Sequence, residues 1–112
     1  MADSNAALRD RLLERPVTPL NIPTTTADIK LTTKAILLVG WSLRETTASA
    51  TATAEFEGSM DTAGPHVGEQ QIASGGTGSF QICLEGVLCE SGLLLHVISG
   101  SVAGCAYVRG PA

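Results

Sequence analysis

The chain has 112 residues, 44% of them hydrophobic and only 16% charged, with a net charge of −4. That length suits one domain and leaves little chain to spare outside its core. No run of Lys and Arg exists, which argues against nucleic acid or an acidic membrane surface as a partner.

Charge is unevenly distributed. Residues 1–33 balance Arg9, Arg11, Arg15 and Lys30 against Asp3, Asp10, Glu14 and Asp28, so the negative excess lies wholly in the remainder. A charged fraction well below the usual quarter, made up with Ala, Gly, Thr and Ser, suits thin, tightly packed sheets with part of their surface covered.

The first element is a short amphipathic helix over residues 4–15, capped by Ser4 or Asp3, with Leu8 and Leu12 one turn apart and Leu13 beside them. Arg15 precedes Pro16, which disfavours helical geometry and ends it. Residues 16–26, PVTPLNIPTTT, carry three prolines in eleven residues. Such a stretch is extended, stiff and unable to form a central strand. Residues 1–26 therefore read as an N-terminal arm, and 27–112 as the globular domain.

From residue 28 the pattern alternates with period two. Ala35–Arg44 is predicted to place Leu37, Val39, Trp41 and Leu43 inward. In Ala50–Glu57, Ala50, Ala52, Ala54 and Phe56 are expected to point in, while Thr51, Thr53, Glu55 and Glu57 point out. Ser79–Leu84 turns Phe80, Ile82 and Leu84 inward. Leu93–Ser99 does the same with Leu93, Leu95 and Val97, and Ser101–Val108 with Val102, Ala106 and Val108. Gly100-Ser101 reads as a two-residue hairpin turn between these last two strands. Weaker strands fall at Asp28–Thr33 and Val67–Ala73. Turn signals at Gly58, Gly64-Pro65, Ser74-Gly75-Gly76, Gly86 and Ser91-Gly92 separate the runs. Short strands at this spacing, with no helices between them, predict an all-β antiparallel sandwich or jelly-roll-like domain with an extended N-terminal arm.

Chemistry is hard to find in these residues. His66 and His96 have no spaced partners that would make a metal or catalytic site. Cys83, Cys89 and Cys105 are odd in number and lack C-x-x-C spacing, so neither a disulfide framework nor zinc is expected. Reduced thiols, no basic-then-apolar leader and no Asn-x-Ser/Thr acceptor point to synthesis in a cytoplasm. Ser74-Gly75-Gly76-Thr77-Gly78 lacks the Lys of a phosphate loop and its helix. Glu55 and Glu57 read as a solvated strand face, and Trp41 as core rather than a sugar platform. No catalytic residue, metal or cofactor is expected.

Two strands are apolar on both faces: Ile36 and Leu38 lie on the predicted outer side of one, and Leu94 and Ile98 flank His96 on that of the other. A strand apolar on both faces is covered on both. The second cover is either another subunit or the arm. These five residues are the expected oligomer or partner interface, and Leu8, Leu12, Leu13, Leu20 and Ile22 the expected binding residues of the arm.

The strand into VGWSLRETTASA, the alternating TATAEFEG and the closing ESGLLLHVISGSVAGCAYV occur in that order between Lys34 and Arg109. In these stretches the chain resembles small β-sandwich virion proteins of tailed bacteriophages. The resemblance implies a structural role in the virion, assembled in the host cytoplasm: a head decoration protein, or a tail, baseplate or fibre-attachment piece. It also implies a homo-oligomer, with a trimer favoured, that clamps the major capsid protein or another virion protein through its arm. A carbohydrate- or peptide-binding β-sandwich module is the alternative from another class.

Overall fold

The computed structural model describes residues 2–58, 66–81 and 86–111. Among the described residues one helix and nine strands follow in order: α1 (Ala2–Leu13), β1 (Val17–Thr25), β2 (Ile29–Thr32), β3 (Ile36–Glu45), β4 (Ala52–Glu57), β5 (His66–Ile72), β6 (Thr77–Gln81), β7 (Val87–Cys89), β8 (Leu93–Ser99) and β9 (Val102–Arg109). The strands form two sheets, one ordered β1-β9-β3-β6 with β7 also on β3, the other β2-β8-β4-β5. Every paired neighbour is antiparallel. The fold is an all-β sandwich. Because β6 and β7 both pair with β3 along one edge, they act as a single interrupted strand. Counted so, the chain passes back and forth between the sheets as an eight-stranded jelly roll does.

Alternation explains most of the core. Ala52, Ala54 and Phe56 of β4, Leu93, Leu95 and Val97 of β8, and Val102, Ala106 and Val108 of β9 all lie in the cluster between the sheets. Trp41 is buried there, stacked on Phe56 with ring centroids 4.7 Å apart. Its indole Nε1 donates to Gln70 Oε1 at 3.1 Å, which satisfies the one polar atom of a buried ring. Gly68, opposite Phe56 in the ladder, is what makes room: a Cβ there would lie 2.2 Å from Trp41 Cη2.

β3 departs from the single-phase reading. Leu38 pairs with Val108 and Gly40 with Tyr107, leaving Val39 as an extra residue. A bulge of one residue flips every side chain beyond it. Ile36 and Leu38 before the bulge, and Trp41 and Leu43 after it, therefore share the inner face. Leu37 and Val39, expected inward, are buried but stand outside that central cluster.

The predicted hairpin over residues 93–108 is a second difference. β8 and β9 lie in different sheets, so Gly100-Ser101 turns the corner from one sheet to the other. Gly100 has φ +78° and its missing Cβ would meet Ala52 Cα at 2.8 Å. Positive φ and close backbone approach both call for glycine here, whichever strands the turn joins.

The arm is not separate from the sheets. Residues 17–25 pair with β9 as the edge strand of the first sheet, with Leu20 opposite Ala106 and Ile22 opposite Gly104. An edge strand needs donors on one side only, so Pro19 and Pro23 are tolerated. The expected boundary at residue 26 thus falls after a full strand of the sandwich. The helix begins at Ala2, earlier than expected, and ends at Leu13 with Arg15 N donating to Leu12 O at 3.0 Å, just ahead of Pro16. Ile82, Cys83, Leu84 and Gly64-Pro65 lie outside the described residues, and β7 is a strand beyond those expected from alternation.

Candidate functional site

Two outer faces remain once the sandwich is closed. On the first sheet, α1 lies against β3, and Leu37 and Val39 beneath it are buried. Leu12 is the helix anchor, fully buried, while Leu8 and Leu13 are half-buried. Two guanidinium groups fasten the segment, one from mid-helix and one just past the helix end: Arg9 Nη2 donates to Gly86 O at 3.1 Å, and Arg109 Nη1 donates to Arg15 O at 2.7 Å. In β1, Ile22 is fully buried in the core and Leu20 packs partly against it. Thus two of the five expected binding residues of the arm, Leu12 and Ile22, are already used inside their own chain. On β1 and β9, Val17 is 42% exposed and Tyr107 37%, with Pro19 directly opposite Tyr107 in the ladder. The bulge places Gly40 on the other side of Tyr107, which leaves the ring without a bulky neighbour on that strand.

The expected interface of Ile36, Leu38, Leu94, His96 and Ile98 is not brought together. Ile36 and Leu38 belong to the core between the sheets, turned in by the bulge at Val39. Leu94, His96 and Ile98 do share the outer face of the second sheet, but only Ile98, at 49%, is well exposed. Leu94 is buried beside Glu57, its ladder partner, which is also fully buried rather than solvated as expected.

His96 is half-exposed and sits at a crossing of charges. Its Nδ1 lies 2.8 Å from Asp28 Oδ1, and the same oxygen accepts the Val97 amide at 3.0 Å. Glu55 faces His96 directly across the ladder. The hydrogen bond to Asp28, followed by the charges of Asp28, Glu55 and Glu57, raises the imidazole above its ordinary 6.5.

A second polar knot lies at the end of the sandwich where β3 leaves its sheet. Glu45 is buried, and its carboxylate accepts four hydrogen bonds: from Thr47 N at 2.8 Å, Thr47 Oγ1 at 2.6 Å, Ala48 N at 2.6 Å and Gly75 N at 3.0 Å. Thr46 binds Ser101 through backbone and hydroxyl groups. Three connections, β3–β4, β5–β6 and β8–β9, are therefore tied at one point. These donors hold the carboxyl at about 2, well under the ordinary carboxylate value. The signal for this knot was present in Glu45-Thr46-Thr47, where short hydroxyl residues follow a strand-ending acid, but its partner Gly75 is thirty residues away.

The thiols offer no obvious nucleophile among the described residues. Cys89 is buried in the core and its thiol is pushed up to about 11 by that burial, which keeps it protonated. Cys105 is half-buried on the outer face of the first sheet. No group of three or more His, Cys, Asp or Glu among the described residues could hold a metal ion, and no described helix is long and apolar enough to cross a membrane. Comparison with family models, with curated proteins and with solved structures finds no match to this chain.

Proposed function

We propose that the chain is a structural virion protein of a tailed phage, in the first instance a decoration protein that cements the capsid surface through its N-terminal segment and a sheet face. The observation that carries this reading is the apolar surface that residues 2–25 leave uncovered while they are anchored to their own domain. They form a helix laid on the outside of one sheet and then the edge strand of that sheet. Leu8, Leu13 and Leu20 are half-buried and Val17 is exposed, so the segment keeps apolar surface to offer a neighbour while Leu12 and Ile22 hold it to its own domain. Jelly rolls occur in viral capsid proteins and also in lectins and cupins, and fold alone does not choose among them. Against a sugar-binding platform stands the burial of Trp41, the largest aromatic ring in the chain. The proposed partner is the major capsid protein or another virion protein, met by several copies at once, as a homo-oligomer, because weak contacts gain strength when presented together.

The test is whether the protein is a stoichiometric component of purified phage particles, and where. Antibody labelling of particles in the electron microscope should decorate the head. Labelling confined to the tail would move the role to a tail or fibre-attachment component, and absence from particles would remove the virion reading.

A further inference from the structure

We propose that Asp28 and His96 form a proton-dependent latch on the corner where the chain leaves β1 for β2, tightening residues 26–30 against β8 when His96 is protonated. The corner is the only covalent passage from the N-terminal segment to the second sheet. It is a tight turn in its own right: Thr25 Oγ1 accepts the Ala27 amide at 3.0 Å and donates to Ala27 O at 2.7 Å. What fixes that turn to the body is Asp28, through one oxygen shared by His96 Nδ1 and the Val97 amide. β2 itself is short, pairing with β8 through Ile29, Lys30 and Thr32 across a register shift. A short edge strand with an irregular ladder depends heavily on such a side-chain clamp.

The groups facing His96 decide the sign. Asp28 approaches from the lead-in to β2 and Glu55 stands opposite on β4, with Glu57 one step along. Glu69 on β5 follows beyond Glu55. Lys30 on β2, opposite Leu94, is an opposing cation on this face, and His66 on β5 is the ladder partner of Glu57. Acids outnumber the cation, so the protonated ring is favoured in the folded state. Its contribution is then fully present below the unfolded imidazole value near 6.5 and is lost as pH rises through the elevated folded value. The neutral ring can still donate from Nδ1, so the latch slackens without breaking. Because the pair is partly exposed, the change should be about two- to five-fold in local opening, the range of surface charge pairs.

The experiment follows His96 by NMR between pH 5 and 9 in a His66→Gln background, which leaves one imidazole. Amide exchange of residues 29–32 and of Val97 is measured alongside, corrected for intrinsic rates. The expected result is a midpoint above 6.5 that falls in Asp28→Asn, and protection that drops two- to five-fold across that midpoint. That pH dependence should vanish in His96→Gln. Asn keeps an oxygen for the Val97 amide, so Asp28→Asn tests the charge rather than the fold. A midpoint unmoved by Asp28→Asn, or the same pH dependence of exchange in His96→Gln, would overturn the latch.

Discussion

The two outer faces of the sandwich solve the same problem differently. On the first sheet, the apolar side chains that a bulge throws outward, Leu37 and Val39, are buried where the chain's own helix lies against β3. On the second, Ile98 stands half in solvent next to a ring of charge made by His96, Asp28 and Glu55. The difference teaches where the chain has spent its apolar surface and where it has kept some. One face is closed by an element that is marginal alone, since a twelve-residue helix is not stable in water without a docking surface. The other leaves Ile98 in solvent beside polar groups, while Leu94 and Glu57 on the same face are buried.

The inner and outer sides of β8 give the largest contrast. Leu95→Ala should destabilise the domain by about 2–5 kcal/mol, because the side chain is fully buried in the core. Ile98→Ala, three residues along the same strand, should stay within about 0.5 kcal/mol. Chemical denaturation of both reads this directly, and similar losses would mean the face bearing Ile98 is covered after all.

Leu12→Ala comes next. It removes the one fully buried helix side chain among those described. The helix can undock rather than strain the sandwich, so the loss should be capped at the docking free energy, about 1.5–3 kcal/mol for one buried Leu before ordering entropy is subtracted. Circular dichroism should lose its helical component while the β signal survives. Amides of α1 should exchange freely. A global collapse equal to that of Leu95→Ala would make α1 part of the core rather than a cap on one face.

Glu45→Gln probes the rigid end, away from both faces. Loss of the charged acceptor should lower the melting temperature at neutral pH. In the native protein, the stability that Glu45 supplies is present above the ordinary carboxylate value of 4.5 and is lost as pH falls toward about 2. Melting curves between pH 7 and 2.5 should therefore converge for the two proteins at the acid end. Parallel curves would show that the knot does not depend on the carboxylate charge.

Much of this architecture could be read from residues alone, and the failures have physical causes. Simple alternation found the inner faces of β4, β8 and β9, because each keeps one phase against the opposite sheet. It failed in β3, where Val39 is inserted and no residue type marks the bulge. Pro16, Pro19 and Pro23 made β1 look like free arm, although an edge strand accepts proline. Gly100-Ser101 carries the same turn signal whether it joins paired strands or crosses between sheets, since pairing is decided by distant β2, β3 and β4. His96 was visible as an odd residue on an apolar strand. Asp28 was not, because sixty-eight residues separate the pair and only the fold brings them together. Glu57 followed strict alternation to the outer face and was still buried beside Leu94.

The central claim is that the N-terminal segment keeps apolar surface for a partner while it is anchored to its own domain. Co-sedimentation of the full-length chain with phage heads lacking it, compared with a Leu8→Asp, Leu13→Asp variant, tests this most directly. Those two leucines are half-buried, so each should contribute about 1 kcal/mol to binding, and losing both should weaken it roughly 30-fold. The account predicts that weakening with the β circular dichroism signal intact. Binding of the variant at full strength would contradict it and move the contact to the face that bears Ile98.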